Sequence, residues 1–160
     1  MSQTVLITGA SNGIGKACAR VFARKGYDLV LVARHREKLE AVKAELSEYD
    51  VNIKVVAMDL TGEDAAVDLY NNLVLDDISI DILVNNAGFG DHGAFHDASW
   101  EKQKKMVLLN IMALMQMTYV FGQSMKLRKK GRILNVASIA GLCAGPYMST
   151  YYATKAFVLS

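Results

Sequence analysis

The feature that most constrains the fold is a regular alternation between short, continuous apolar runs and longer segments with helical periodicity. The first run covers Thr4 to Thr8, and the apolar residues that follow it from Ile14 onward have the i, i+3, i+4, i+7 spacing of an amphipathic helix. Because the runs are continuous rather than alternating, both faces of each strand are expected to be covered. This pattern predicts a parallel sheet with right-handed crossovers and helices on both faces.

Five such runs predict a single, doubly wound α/β domain over residues 1–160. The predicted strands are 4–8, 28–33, 52–59, 81–85 and 132–138. The first helix is expected to end at Gly26, and a capping box formed by Thr61 and Asp64 to open the third. A long helix is predicted over about 101–127, and a last one from near Ser149. In such sheets ligands bind beyond the carboxyl ends of the strands, where the strand order reverses.

Composition excludes several function classes. With 52% apolar and 21% charged residues the chain is not disordered, and a net charge of +2 gives no argument for nucleic acid or an acidic membrane surface. The apolar stretch from Met106 to Gly122 contains Asn110 and Gln116, so we predict a buried helix too short to span a membrane. No basic segment precedes the first strand, and we therefore expect a cytoplasmic protein without a signal peptide.

Cysteine and histidine contribute little to the functional prediction. The two cysteines, Cys18 and Cys143, are expected to be reduced and buried. The pair His92 and His96 has i, i+4 spacing, but Gly93 lies between them and no Cys or Glu is nearby, so no metal site is predicted.

The segment directly after the first strand has the composition of a phosphate-binding loop. Glycines allow a tight turn and a close approach of the backbone to a ligand, and the start of the following helix offers free N–H groups. A tight turn without a ligand is the alternative, which three glycines in seven residues disfavour. The predicted cofactor-binding residues here are Gly9, Ser11, Asn12, Gly13, Ile14 and Gly15.

A second glycine-rich segment, from Gly88 to Gly93, also matches the G-x-G-x-x-G pattern. It follows the fourth strand, but residues 94–100 show no amphipathic helix, so we predict that this segment is a loop.

The end of the second strand bears on the identity of the cofactor. A carboxylate there would bind the ribose 2′-OH of NAD, whereas an arginine accommodates the 2′-phosphate of NADP. The strand ends at Ala33 and is followed by Arg34, His35 and Arg36, with no carboxylate. Arg34 therefore predicts NADP(H), the alternative being that Arg34 and Arg36 are ordinary solvated charges.

Candidate acid–base residues lie near the carboxyl terminus. Tyr151 and Lys155 are at i, i+4 and so share one face of the last helix. An ordinary phenol has a pKa near 10, but a nearby ammonium and a cationic nicotinamide both favour the phenolate. Ser138 ends the fifth strand, where its hydroxyl could hold a substrate carbonyl. Tyr152 also lies near Lys155, but its i+3 spacing and its distance from Ser138 along the chain favour Tyr151.

At this point the sequence closely resembles the short-chain dehydrogenase/reductase family, and the matching motifs cover nearly the whole chain. The glycine loop resembles the family's cofactor loop, 85–88 its fourth-strand motif, and Arg34 the marker of NADP-preferring members. The resemblance adds Asp59 and Leu60 as adenine contacts and Asn86, Ala87 and Gly88 as cofactor contacts. Its catalytic tetrad is matched by Asn110, Ser138, Tyr151 and Lys155.

The resemblance implies a Rossmann-like, doubly wound parallel sheet with strand order 3-2-1-4-5. It also implies an NADP(H)-dependent oxidoreductase that acts on a small carbonyl or alcohol substrate. Tyr151 is implied to exchange a proton with the substrate oxygen, and Ser138 to orient that oxygen. Lys155 is implied to favour the phenolate and bind the nicotinamide ribose, and the Asn110 carbonyl to hold a water in a proton relay. Family members commonly form homo-oligomers through the helices that carry Asn110 and Tyr151.

The chain departs from the family in length, since the family's sixth and seventh strands and substrate pocket have no counterpart here. No helix stop appears between Ala156 and Ser160, so we expect an amino-terminal fragment of a longer protein. The fifth strand is then expected to be an exposed apolar edge. The alternative to an enzyme is a non-catalytic nucleotide-binding or interaction module that lacks the substrate pocket.

Overall fold

The computed structural model describes residues 2–160 and contains a parallel sheet of five strands with helices on both faces. The strands are β1 (Thr4–Thr8), β2 (Asp28–Ala33), β3 (Ile53–Ala57), β4 (Ile82–Asn85) and β5 (Arg132–Asn135). The helices on one face are α1 (Gly13–Arg24) and α2 (Arg36–Glu45), and those on the other are α3 (Ala65–Leu75) and α5 (Leu114–Leu127), the latter preceded by α4 (Trp100–Val107). The last helix is α6 (Ser149–Leu159).

The sheet order is β3-β2-β1-β4-β5, with every neighbouring pair parallel. This confirms the predicted doubly wound fold. The chain runs outward from β1 through β2 to β3 and then returns to β4 on the other side of β1. The strand order therefore reverses between β1 and β4, which is where a ligand is expected.

Two apolar layers hold the sheet between the helices. Side chains alternate along β1, so Leu6 packs on one face with Leu83 and Phe121, while Val5 and Ile7 pack on the other. Each of these side chains is almost completely buried. The continuous apolar runs that predicted two covered faces are thus explained by the packing.

The long helix predicted over about 101–127 is present from residue 100, but it is not a regular α-helix throughout. Between α4 and α5 lies a π-helical turn, the π-turn (Leu108–Ala113), which is wider than a turn of α-helix because its hydrogen bonds join residues five apart. Such turns occur frequently at functional sites, and Asn110 lies within this one.

The long helix corrects one prediction. It contains 28 residues with a mean hydropathy of 1.3 over its most apolar window, so by length and composition it could span a membrane. Its α5 part packs on the sheet with Met117 and Met125 in the core, and Met106 is also buried, whereas Met112 and Met115 are exposed. The expectation of a fully buried helix therefore holds for only one of its sides.

The capping box and the burial of the cysteines differ from the predictions. The capping box is wrong, because the backbone N–H and the hydroxyl of Thr61 both donate to the Asp59 carboxylate, at 3.0 and 2.9 Å. The N-cap residue of α3 is Asp64, which makes no side-chain cap hydrogen bond. Cys143 is exposed and Cys18 is half-buried, so neither cysteine is buried as predicted.

The outer strands are shorter than predicted. β3 ends at Ala57 and β5 at Asn135, and Met58 and Val136 each donate one further hydrogen bond to the neighbouring strand, both at 2.9 Å. β5 lies at the edge of the described sheet and leaves Ile133 and Leu134 exposed, as expected for an uncovered edge strand. Gly26 follows α1 with a positive φ of 78°, as its predicted role in ending that helix requires.

Candidate active site

A cavity of about 380 Å³ opens at the carboxyl ends of β1, β4 and β5, at the reversal of the strand order. We call it the switch-point cavity. It is lined by segments that are far apart in sequence and converge only in the fold. Its lining residues are Gly9, Asn12, Gly13, Ile14, Asn86, Ala87, Gly88, Phe89, Gly90, Val136, Ala137, Tyr151 and Lys155.

Glycine is required in the loop after β1 for two reasons, backbone conformation and close packing. Gly9 and Gly13 have positive φ angles of 65° and 51°, which L side chains rarely adopt. A Cβ at Gly13 would meet nothing within 4 Å, so this glycine leaves open space beside the cavity. A Cβ at Gly15 would instead overlap the Gly9 carbonyl oxygen, so Gly15 permits helix α1 to pack closely on the loop.

The start of α1 keeps its N–H groups available. Asn12 is the N-cap residue, but its side chain makes no cap hydrogen bond. The first N–H groups of an α-helix have no partner within the helix, and together with the helix dipole they attract an anion. The amino end of α1 is therefore suited to a phosphate group in the cavity.

One buried hydroxyl joins the loops after β1 and β4. The Thr8 oxygen accepts hydrogen bonds from the backbone N–H groups of Asn86 and Ala87, both at 3.0 Å, and donates to the Val84 carbonyl at 3.3 Å. The Asn86 amide in turn donates to the carbonyls of Thr8 and Gly9, at 2.9 and 3.2 Å. These bonds fix the floor of the cavity.

Tyr151 and Lys155 reach the cavity from one face of α6. Lys155 is 7% exposed, and its ammonium donates to the Val136 carbonyl at 2.8 Å and lies 5.9 Å from the centroid of the Tyr151 ring. Burial lowers the pKa of Lys155 below its ordinary value, because the ammonium is partly removed from water. Gly90 backs the Tyr151 ring, since a Cβ there would lie 3.2 Å from Tyr151 Cδ2.

The alternative tyrosine lies elsewhere. A Cβ on Gly145 would overlap the Tyr152 ring, which therefore packs against the loop after β5. Tyr152 lines a separate depression with Cys143 and Ala156. The structure thus brings Tyr151, and not Tyr152, into the cavity with Lys155.

Ser138 follows the cavity-lining residue Ala137. Its oxygen accepts a hydrogen bond from the Ala140 N–H at 3.1 Å and caps a short 3₁₀ helix over Ile139–Gly141. A hydroxyl that accepts this bond retains its own O–H for donation to another group.

Asn110 lies behind the cavity lining rather than in it. Its buried amide accepts from the Phe89 N–H at 3.1 Å and donates to the Phe89 carbonyl at 2.9 Å. The π-turn thereby holds the segment after β4, in which Phe89 and Gly90 line the cavity.

The other predicted cofactor residues lie outside the cavity lining. Ser11 and Gly15 belong to the glycine loop, and Arg34 is exposed directly after β2. Asp59 is exposed after β3, and its carboxylate accepts a hydrogen bond from the Thr61 hydroxyl. Leu60 is buried in the core.

Sequence reasoning missed several residues that form the cavity. Phe89, Gly90, Val136 and Ala137 line it, and Thr8 fixes its floor. The segment from Gly88 to Gly93 is a loop, as predicted, but it lies directly at the cavity. Its position after β4, next to the strand-order reversal, is the signal that could have identified it.

The chain also matches a known protein family. The family model for the short chain dehydrogenase matches residues 3–160. The chain belongs to this family. Among curated proteins, it is 38% identical over 160 residues to a very-long-chain 3-oxoacyl-CoA reductase of Phaeosphaeria nodorum, covering 96% of this chain and 46% of that protein. It is 39% identical to the 17-beta-hydroxysteroid dehydrogenase type 3 of Mus musculus, covering 99% of this chain and 52% of that protein.

Solved structures of the same family are also similar. A short-chain dehydrogenase from Sphingobium yanoikuyae in complex with NADPH has a TM-score of 0.91 at 40% identity, covering 98% of this chain and 62% of that one. A bulky-bulky ketone specific alcohol dehydrogenase from Comamonas testosteroni has a TM-score of 0.90 at 39% identity, covering 98% and 63%. The chain spans about half the length of the curated relatives it matches.

Proposed function

We propose that the protein is an NADP(H)-dependent oxidoreductase that transfers a hydride between nicotinamide and a carbonyl or alcohol substrate. The observation that carries the proposal is that Tyr151 and Lys155 line the same cavity as the glycine loop. A proton donor and a dinucleotide-binding loop thus face one space at the reversal of the strand order. The family membership of the chain and its similarity to a structure holding NADPH support the proposal.

The cavity fits a dinucleotide. Gly13 leaves open space beside it, and the amino end of α1 offers N–H groups to a pyrophosphate. The Thr8 hydroxyl holds the backbone of Asn86 and Ala87, which line the cavity together with the acid–base pair. Lys155 lines the same cavity and would contact the nicotinamide ribose, as the family resemblance implies.

The cofactor supplies the hydride when it is bound. Tyr151 donates its phenol proton to the carbonyl oxygen during reduction, so that the substrate carbon gains the hydride and its oxygen gains a proton. Ser138 donates its unused O–H to the same oxygen and orients it. The Lys155 ammonium stabilises the phenolate that Tyr151 becomes, and in oxidation the proton returns by the reverse path.

Arg34 supports a preference for NADP(H). It is exposed immediately after β2, where a guanidinium can pair with the 2′-phosphate. Dissociation constants for NADPH and NADH, measured by fluorescence titration, test this preference. We expect tighter binding of NADPH and expect Arg34→Glu to reverse the order, whereas tighter NADH binding by the unaltered protein would refute the preference.

The substrate class rests on the carbonyl chemistry of the site and on the relatives. Their names specify a 3-oxoacyl-CoA, a hydroxysteroid and bulky ketones, and each of these reactions acts on a carbonyl or alcohol. We expect a small-molecule carbonyl substrate here.

We also propose a homo-oligomer formed through the long helix that carries Asn110 and through α6. Met112, Met115 and Tyr119 are exposed on the long helix and line an apolar groove of about 610 Å³. Light scattering on the full-length protein tests this, and a monomer at micromolar concentration would refute it. A cytoplasmic location, without nucleic-acid or membrane partners, stays a prediction.

The decisive experiment is Tyr151→Phe in the full-length protein, with Tyr152→Phe as the matched control. We expect Tyr151→Phe to abolish NADPH oxidation on a panel of carbonyl compounds while NADPH binding persists, because only the proton donor is removed. Tyr152→Phe is expected to retain turnover, since that ring lies outside the cavity.

Activity retained by Tyr151→Phe would exclude this residue as the acid. If the unaltered full-length protein binds NADPH but oxidises it with no carbonyl compound on the panel, the alternative of a non-catalytic nucleotide-binding module is favoured instead.

A further inference from the structure

The buried Asn110 amide has a fixed orientation. Its Oδ1 faces the Phe89 N–H and its Nδ2 faces the Phe89 carbonyl, at 3.1 and 2.9 Å. A flipped amide would place donor against donor and acceptor against acceptor, so the Phe89 backbone determines which atom is which. One N–H of the amide group then remains to be satisfied in a site where the residue is only 2% exposed.

Thr154 provides the acceptor for that N–H. Its Oγ1 lies 3.0 Å from Asn110 Nδ2, and the same hydroxyl donates to the Tyr151 carbonyl at 2.8 Å. Thr154 is 1% exposed. Because Asn110 can only donate here, the Thr154 hydroxyl must accept from it and direct its own proton to Tyr151.

The resulting chain of hydrogen bonds connects three elements at the active site. It runs from the Phe89 backbone through the Asn110 amide to the Thr154 hydroxyl and ends at the Tyr151 carbonyl, in the first turn of α6. Phe89 and Tyr151 both line the switch-point cavity. The chain therefore links one wall of the cavity to the helix that carries the acid–base pair.

A hydroxyl that bonds to the carbonyl three residues earlier is common in helices and has no function by itself. The hydrogen bond between Asn110 and Thr154 is not of this local kind, since it joins Thr154 to a buried amide on the π-turn, 44 residues away in sequence. Valine has nearly the same shape as threonine but would leave this N–H without a partner.

We propose that Thr154 is a positioning residue that sets where the Tyr151 phenol lies relative to the wall of the cavity. This role rests on the proposed function. Loss of the hydroxyl leaves the phenol and Lys155 on α6 but removes the hydrogen bond that joins this helix to Asn110 and, through Asn110, to the loop after β4. A displacement of a proton donor by a fraction of an ångström reduces the rate of chemistry more than the binding of substrate.

The test compares Thr154→Val with Thr154→Ser in the full-length protein. Thr118→Val is the matched control, because Thr118 Oγ1 also accepts from a buried asparagine amide, Asn85 Nδ2 at 3.0 Å, but lies on α5 away from the cavity lining. Both valine variants lose one amide-to-hydroxyl bond, so both are expected to unfold at a lower temperature.

We expect Thr154→Val to lower kcat by about 10- to 100-fold with a smaller change in KM. We also expect the pH dependence of kcat to shift, because the phenol has moved relative to the groups around it. Thr154→Ser, which keeps the hydroxyl, is expected to restore kcat to near the unaltered level. Thr118→Val is expected to retain both kcat and its pH profile.

Two results would overturn the role of Thr154 alone: a kcat in Thr154→Val equal to that of Thr118→Val, or a loss in Thr154→Ser as large as in Thr154→Val. Should Thr154→Val fail to fold, the smaller Thr154→Ala is compared with Thr154→Ser by the same criteria. An unaltered protein without turnover would instead overturn the proposed function, and the role of Thr154 with it.

Discussion

The Thr8 hydroxyl is the side-chain group on which the floor of the switch-point cavity depends, and Thr8→Val removes it with little change of shape. Two backbone N–H groups, those of Asn86 and Ala87, then lose their acceptor. Thr8 is 2% exposed, so water has little access to replace it. We therefore expect Thr8→Val to be strongly destabilising.

The magnitude follows from the number of bonds lost. A buried N–H without a partner costs about 1–3 kcal/mol. Because Asn86 and Ala87 are only partly buried, we take the lower half of that range for each and expect a loss of about 2–4 kcal/mol. For a domain of this size each kcal/mol lowers Tm by about 2–4 °C, which gives a decrease of roughly 4–16 °C.

Thr8→Ser is the matched control, since it keeps the hydroxyl and removes one methyl group, at a cost of about 1 kcal/mol. Urea unfolding of both variants gives the difference in the free energy of unfolding, provided the m-values agree. Because Asn86 and Ala87 line the cavity, Thr8→Val is also expected to bind NADPH more weakly than Thr8→Ser. A Thr8→Val variant as stable as Thr8→Ser would show that these N–H groups do not depend on the hydroxyl.

Two further predictions concern the glycine loop and the buried ammonium. Gly15→Ala is expected to lower the free energy of unfolding by about 3 kcal/mol, because its Cβ overlaps the Gly9 carbonyl oxygen, and Gly13→Ala by about 1 kcal/mol, from backbone strain alone. Urea unfolding compares them, and equal losses would contradict the steric argument. Since burial lowers the pKa of Lys155, the unfolded chain holds this proton up to higher pH than the folded one, and stability should rise with pH between the folded and unfolded pKa values. The difference in unfolding free energy between the unaltered protein and Lys155→Met should therefore increase in that alkaline range, and a difference that does not depend on pH would refute the expected effect of burial.

The fold could be predicted from sequence because its signals are local. The apolar run over Thr4–Thr8 and the helix periodicity after it reflect burial on two faces, which does not depend on knowing the partner segments. The end of β5 was less predictable. Val136 and Ala137 are as apolar as the strand before them, but they follow its last residue and line the cavity.

The site was predictable where its residues are close in sequence. Tyr151 and Lys155 share a helix face through their i, i+4 spacing, and the glycines of the first loop follow one another directly. Thr154 and Phe89 could not be identified in this way, because their roles depend on Asn110, which is distant from both in sequence. The capping box failed for the same reason at shorter range, since Asp59 competes for Thr61.

The bond between the Thr8 hydroxyl and the Asn86 N–H has a consequence for biosynthesis. It joins positions 78 residues apart, so the glycine loop leaves the ribosome long before the segment that completes its floor. Until β4 has been made and paired with β1, the nascent chain has no finished nucleotide site. A dinucleotide therefore binds and stabilises only those chains in which β4 has already paired with β1.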